Sequence, residues 1–296
     1  MIFAFLEGLR PKQWTKNLLV FAGVLFSQQF DDVNLVLRAA AGFVAFSLLA
    51  GAVYLLNDMR DAPGDRLHPR KRLRPIPSGR LAPRFAVIAV IPVLAISAAL
   101  AWSLGPGFVA TLVVYLLMNL AYSLALKTQV LIDVFIIATG FVLRAIAGVE
   151  LLRPVSPDTA ISPWLLVCTF FGALFLGVSK RSRELTNAGA GASNQRAVLA
   201  AYSPELLDRM LTISAASTLM SYALYTIWPA TVSKFHTEAL IVTVPVVAYG
   251  VFRYLHLVKV SETSEDPSQV LLTDRPIQAT VALFLALAIW ILYRAQ

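Results

Sequence analysis

A chain of 296 residues that is 58% hydrophobic and only 14% charged cannot hide its apolar side chains in one aqueous core, since an ordinary soluble domain is about 45–50% apolar and about 25% charged. With a mean hydropathy of +0.71, most of that surface must face lipid, and no stretch is long enough for a separate soluble domain. The formal net charge of +8 is expected on one membrane face rather than in a nucleic-acid interface, so no nucleic-acid partner is expected.

The first residues, 1–9, lack the basic n-region of a cleavable signal. The apolar run that follows Lys12 and Lys16 ends in Ser27-Gln28-Gln29 without a small-residue cleavage pattern, so it is expected to stay as a short first span. Runs of spanning length fall at 14–30, 36–56, 85–104, 108–126, 130–151, 162–178, 207–228, 240–257 and 277–293. A crossing helix needs roughly 17–25 residues. The runs are continuous rather than alternating, which favours helices over barrel strands. The expected fold is therefore all-α, a polytopic membrane protein of about nine transmembrane helices forming one domain over 1–296. Pro92 and Pro245 fall inside runs, where neighbouring helices tolerate a kink. Cys168 is the only cysteine, so no disulfide can form.

Orientation follows from Lys and Arg. With the N-terminus cytoplasmic, the segments 1–13, 60–84, the turn at Lys127, 180–209 and 253–275 share one side and hold most of the 25 basic residues. The opposite turn at 104–107 holds none. A multi-pass protein of the cytoplasmic (inner cell) membrane with its site on the cytoplasmic face is expected. The stretch 188–193, mostly Gly and Ala, reads as a loop.

What topology leaves unexplained is acid mixed with base where the second run ends. Asn57-Asp58-Met59-Arg60-Asp61-Ala62-Pro63-Gly64-Asp65 places carboxylates three, four and seven residues apart, which one helix face would align. Pro63 and Gly64 predict a break before Asp65. Clustered carboxylates repel unless a cation joins them, and Mg²⁺ prefers oxygen ligands shared between carboxylates and substrate phosphates. The following loop is rich in cations: Lys71, Arg72 and Arg74 are placed to clamp phosphate oxygens. Arg80 and Arg84, heading the next span, read as topology signals.

Asn57-Asp58-x-x-Asp61-x-x-x-Asp65, followed by Lys71-Arg72-x-Arg74-Pro75, resembles the first aspartate-rich motif of the UbiA superfamily of membrane prenyltransferases. The segments Leu9-Arg10-Pro11-Lys12-Gln13-Trp14-Thr15-Lys16-Asn17, Tyr122-Ser123-Leu124-Ala125-Leu126-Lys127 and Gly140-Phe141-Val142-Leu143-Arg144-Ala145-Ile146-Ala147-Gly148 extend the likeness along the whole chain. They are most similar to members that move 5-phosphoribose onto a polyprenyl phosphate. The resemblance implies Mg²⁺ held by Asn57, Asp58, Asp61 and Asp65. It implies Asp58, Asp61, Lys71 and Arg72 as catalytic groups, and substrate contacts at Lys16, Asn57, Arg74, Tyr122 and Lys127. Where relatives acting on aromatic acceptors carry a second Asp-x-x-x-Asp, this chain reads Lys180-Arg181-Ser182-Arg183-Glu184. One carboxylate among three cations suits direct phosphate contact, so Lys180, Arg181 and Glu184 are expected at the substrate; an i,i+4 pair of Lys180 with Glu184 would be the plainer explanation.

Asp133 and Arg144 stand inside the fifth run. Eleven residues is close to three turns, which puts both on one helix face. Ionisable groups in a membrane are costly and mark function by default. Both are expected near substrate, with Arg144 either a substrate contact or a structural cation facing Glu150 or another helix. A phosphate acceptor arrives already ionised, since its second pKa is about 6, so His68 is given no catalytic role. The implied reaction is Mg²⁺-dependent transfer from 5-phosphoribosyl diphosphate (PRPP) to decaprenyl or another polyprenyl phosphate, with inversion, giving a lipid precursor for arabinose donors and cell-wall synthesis. Its partners are PRPP, the lipid phosphate and the bilayer, and a homo-oligomer is compatible with the sequence. The alternatives are an aromatic prenyltransferase and a non-enzymatic lipid or phosphate transporter.

Overall fold

The computed structural model describes residues 1–27, 31–67, 71–157, 159, 161–188, 197–260 and 267–295. His68, residues 28–30 of the first run and 189–193 of the Gly/Ala loop lie outside the described residues. Every regular element is helical among those described. In chain order they are α1 (Ile2–Gly8), a 3₁₀ helix (Pro11–Phe21) running into α2 (Ala22–Phe26), α3 (Val33–Asp65), α4 (Pro83–Leu104), α5 (Pro106–Leu124), α6 (Ile132–Glu150), α7 (Pro163–Ala188), α8 (Pro204–Ile227), α9 (Pro229–Phe235), α10 (Val244–Val260), α11 (Pro267–Thr273) and α12 (Arg275–Arg294).

The sequence sets these boundaries in familiar ways. Asp32 caps α3 by accepting from the Asn34 amide at 2.8 Å, and Ser203 caps α8 by accepting from the Leu206 amide at 3.1 Å. Pro83, Pro106 and Pro204 stand in the first turns of their helices, where the missing N–H has no partner to lose. Among the described residues, eight helices are long and apolar enough to cross a membrane. They correspond to all the expected runs but the first. That run contains Thr15 and Asn17 and is wound as the tighter 3₁₀ helix followed by a five-residue α2.

The chain divides into two compact units, Met1–Ile161 and Ser162–Gln296. In the first, Val20, Phe46, Phe108 and Leu151 centre one apolar core, and Leu9, Leu55, Ile76 and Leu81 anchor a second under α1. The 3₁₀ helix and α2 meet α6 backbone to backbone at two glycines. A Cβ on Gly148 would stand 2.3 Å from the Val20 carbonyl oxygen, and one on Gly23 would stand 1.9 Å from the Gly148 oxygen, so neither position admits a side chain. Near the start of α3, Arg38 donates to the Leu151 carbonyl at 3.0 Å and the Leu104 carbonyl at 2.7 Å. It thereby satisfies carbonyls at the ends of α6 and α4 that the helices leave open. Asp58 lies 20 residues further along α3, about 30 Å at 1.5 Å per residue, roughly the thickness of a hydrocarbon layer. Outward-facing Ile88 and Trp102 are 67% and 82% exposed, surface that only lipid solvates at no cost.

In the second unit α7 packs along α8, with Trp164 against Trp228 at 5.3 Å. Phe175 meets Tyr254 of α10 at 5.5 Å, and the Tyr222 hydroxyl meets Thr243 Oγ1 at 2.6 Å. Asp274 caps α12 through the Ile277 amide and accepts from Arg253 at 2.9 Å. Pro245 lies inside the apolar helix Ala239–Val260, just where a 3₁₀ stretch, Ala239–Thr243, passes into α10.

Candidate active site at the end of α3

The expected break at Pro63 is absent: α3 runs through it to Asp65. Proline removes one N–H, the one that would bond the Met59 carbonyl, and the helix ends two residues later, so little ladder is lost. The Arg66 amide still reaches the Ala62 carbonyl at 3.1 Å. Because the helix persists, Asp58 and Asp65 lie two turns apart on one face. Both are buried, at 2% and 6% exposure, and they converge on one nitrogen. Arg74 Nη1 donates to Asp65 Oδ2 at 2.7 Å and to Asp58 Oδ1 at 3.1 Å. Arg10 also donates to Asp58 Oδ1. Asp61 is turned elsewhere and accepts from Lys127 Nζ at 2.5 Å. Asn57 is half-buried beside them.

Each cation is held by local structure. The loop after α3 includes a short 3₁₀ turn, Lys71–Leu73, on which Lys71 is half-buried and Arg72 exposed. The Ser78 amide then returns to the Arg74 carbonyl at 3.0 Å and the Leu81 amide to the Pro75 carbonyl at 2.9 Å. Ile76 and Leu81 are buried beneath this turn, and Gly79 supplies its positive φ of 79°. Arg80 has a role that topology alone does not give it. Its guanidinium donates to both Glu7 oxygens at 2.7 and 2.8 Å and to the Leu73 carbonyl at 2.6 Å, clasping α1 to the loop. The Arg80 hydrogen bond holds the Glu7 carboxyl below its usual range. Arg10 adopts the left-handed region (φ 54°, ψ 63°) and lies 4.8 Å over the Tyr54 ring. A non-glycine residue held there usually marks a constrained site. The sequence reading passed over Arg10, although it sits inside the Leu9–Asn17 segment that carries the family likeness.

Deeper in the same unit, Arg144 is buried and donates to Asn17 Oδ1 at 2.7 Å, the Gly140 carbonyl at 2.6 Å and the Tyr115 hydroxyl at 3.1 Å. Its guanidinium lies 4.9 Å from the ring centres of Phe46 and Tyr115. These contacts tie Arg144 to the 3₁₀ helix through Asn17, while Glu150 pairs with Arg153 at 2.8 Å. Asn17 in turn donates to Ser47 Oγ at 2.9 Å. Lys16 precedes Asn17 and is half-buried. Asp133 is fully buried near the start of α6. Tyr122 is half-buried in the last turn of α5, whose C-terminal Leu124 carbonyl accepts from Arg60 at 3.1 Å.

In the second unit, α7 carries two buried guanidiniums. Arg181, 1% exposed, is paired with Glu184 one turn on. Arg183 donates to the Leu257 carbonyl at 3.1 Å, and its Nε has no hydrogen-bond partner among the described residues. Lys180 is half-buried on the same turn.

Among the described residues, no three His, Cys, Asp or Glu side chains form one metal-sized group. The donor chemistry at Asp58 and Asp65 nevertheless fits a hard divalent ion: two carboxylate oxygens converge on a single point that a cationic nitrogen already fills.

Residues 17–275 match the model of the UbiA prenyltransferase family. The chain is 36% identical over 230 residues to the decaprenyl-phosphate phosphoribosyltransferase of Mycobacterium tuberculosis, covering 76% of this chain and 74% of that protein. It is 33% identical over 281 residues to the enzyme of the same name in Corynebacterium glutamicum, covering 92% and 82%. In fold it is similar to a UbiA homologue from Archaeoglobus fulgidus solved with GPP and Mg²⁺, with a TM-score of 0.72 at 20% identity over 98% of this chain and 99% of that one.

Proposed function

The chain belongs to the UbiA prenyltransferase family, and from that premise we propose that it moves 5-phosphoribose from PRPP onto decaprenyl phosphate or a similar polyprenyl phosphate, with Mg²⁺ as cofactor. The observation that carries the proposal is the convergence of buried Asp58 and Asp65 on one cationic nitrogen, ringed by Arg10 and Arg74. It is an arrangement for a metal-bound diphosphate, with acid for the metal and base for the phosphate oxygens. The names of the relatives narrow the donor to a phosphoribosyl group and the acceptor to a lipid phosphate.

In this reading Asp58 and Asp65 would hold the metal, with Asn57 adjacent and Asp61 leaving Lys127 to join them; when bound, the metal would neutralise charge growing on the leaving diphosphate. Arg10, Arg74, Lys71 and Arg72 donate to the same oxygens as the C1–O bond to diphosphate breaks and the electron pair leaves with it. A lipid phosphate oxygen forms the new bond to C1 from the opposite face, so the anomeric centre inverts. The acceptor is already ionised and no general base is needed. Lys16, Tyr122, Lys127, Asp133 and Arg144 are assigned to holding substrate or the elements that present it. In the second unit, Lys180 and Arg181 are proposed as donors to phosphate oxygens, with Glu184 at the substrate as the acid that pairs with Arg181. The lipid tail stays in the bilayer, the N-terminus and the site face the cytoplasm, and the product feeds arabinose-donor and cell-wall synthesis.

Purified protein in detergent with decaprenyl phosphate and Mg²⁺ tests this. Radiolabelled PRPP should give a lipid-extractable product that EDTA abolishes. Label entering lipid-soluble product only from a prenyl diphosphate with 4-hydroxybenzoate would make the protein an aromatic prenyltransferase instead.

A further inference from the structure

The carboxylates at the end of α3 meet cations drawn from three other stretches of the first unit. Arg10 comes from the turn before the 3₁₀ helix, Arg74 from the loop after α3, and Lys127 from the turn after α5. None of these belongs to α3, so each can let go without unwinding it. Asp58 is the pivot, because its Oδ1 accepts from both arginines while Arg74 also holds Asp65. A divalent ion binding Asp58 and Asp65 would compete for the same oxygens, and like charges at such separations repel strongly in a buried setting. We propose that Arg10 and Arg74 are resident counter-cations that keep bare metal ions off Asp58 and Asp65 and change partners only when metal and diphosphate arrive together. The proposal rests on the metal–diphosphate reading above and adds to it a binding order and a role for Arg10.

The exchange balances only as a pair. A lone metal ion displaces two guanidiniums with nothing to receive them. A lone diphosphate pulls the guanidiniums away and leaves two buried carboxylates unpaired, which is costly. With both present, the carboxylates pass to the metal and the guanidiniums to phosphate oxygens, each still making charge-assisted hydrogen bonds. Metal and diphosphate therefore bind with positive coupling, and by linkage each tightens the other equally. Side-chain exposures of 25% for Arg10 and 30% for Arg74, against 3% for Asp58, leave both guanidiniums within reach of an arriving diphosphate while the acid beneath them is buried.

The test is Mn²⁺ binding to the full-length protein in detergent, read from the electron paramagnetic resonance of free Mn²⁺, with and without methylenediphosphonate. Arg10→Gln and Arg74→Gln should bind Mn²⁺ alone about tenfold more tightly than wild type, or 1.4 kcal/mol, and should lose most of the tightening that methylenediphosphonate gives. Arg10→Lys, which keeps the charge, should show no gain in affinity for Mn²⁺ alone, and thermal unfolding of each variant establishes that it is folded. The gain must vanish in Arg10→Gln/Asp58→Asn. A gain that survives there puts the metal elsewhere and removes the metal reading itself. If Asp58→Asn abolishes wild-type Mn²⁺ binding while neither glutamine variant gains affinity, the metal site stands and the counter-cation role is overturned.

Discussion

Arg144 brings a full positive charge into the first unit and finds neutral partners: an amide oxygen, a carbonyl, a phenol and two aromatic faces. A guanidinium serves all of these at once because its donors fan out in a plane, whereas an ammonium cannot. Arg144→Lys should therefore cost about 2–4 kcal/mol, the loss of one or two charge-assisted hydrogen bonds in a buried site, and lower the thermal midpoint in detergent. An unchanged midpoint would mean that the network does not hold the 3₁₀ helix to α6. The sequence made Arg144 conspicuous, since a cation in an apolar run is costly wherever it lies. Its partner Asn17 was not legible, because a contact across 127 positions leaves no local pattern. Arg10 escaped for the same reason: its pairing with Asp58 spans 48 positions, and nothing around it in sequence announces an acid.

At the scale of elements, the end of α3 shows how a local rule yields to position. Pro63 and Gly64 favour a break, yet a proline in the last turn forfeits only one backbone bond. Pro63→Ala should leave the rate within about twofold and the stability equal or slightly higher, as expected when proline occupies a helix; a large loss of rate would show that the proline itself shapes the site. The glycine contact between the 3₁₀ helix and α6 is less forgiving. Gly148→Ala drives a methyl into the Val20 carbonyl, and since backbone moves less readily than side chains it should cost at least the about 1–3 kcal/mol typical of overpacking. Arg10 adjoins the start of the displaced segment, so the rate should fall with stability. The apolar run at 14–30 suggested a span, but hydropathy does not distinguish a 3₁₀ winding from an α-helix. The Glu7–Arg80 clasp gives α1 a pH dependence. Because the Glu7 carboxyl is held below its usual 4.5, the support exists above that value and is lost as pH falls beneath it. Protection of the α1 amides, measured against their intrinsic exchange rates at each pH, should be lower at about pH 3 than at about pH 7, and equal protection would mean that the clasp holds nothing.

At the scale of the molecule, the spans were readable because lipid imposes one requirement: every backbone polar group must be satisfied within the helix, over a length set by the bilayer. Eight of the expected runs carry that signature among the described residues. The division into two compact units was not readable, since uniform hydropathy carries no information about which helix packs on which. The buried arginines of α7 show the same limit. Their charge pattern was visible, but the pairing of Arg181 with Glu184 and the approach of Arg183 to Leu257 are set by packing. On the proposed function, the end of α3 is where the donor's diphosphate is held. The most direct test is the initial rate of lipid labelling from PRPP by Asp58→Asn, with Asp65→Asn beside it and correct folding established by thermal unfolding. Each variant should fold and label lipid at least about a hundredfold more slowly, the scale seen when one electrostatic contact to developing charge is lost; a folded Asp58→Asn protein that labels lipid at the wild-type rate would place the diphosphate elsewhere.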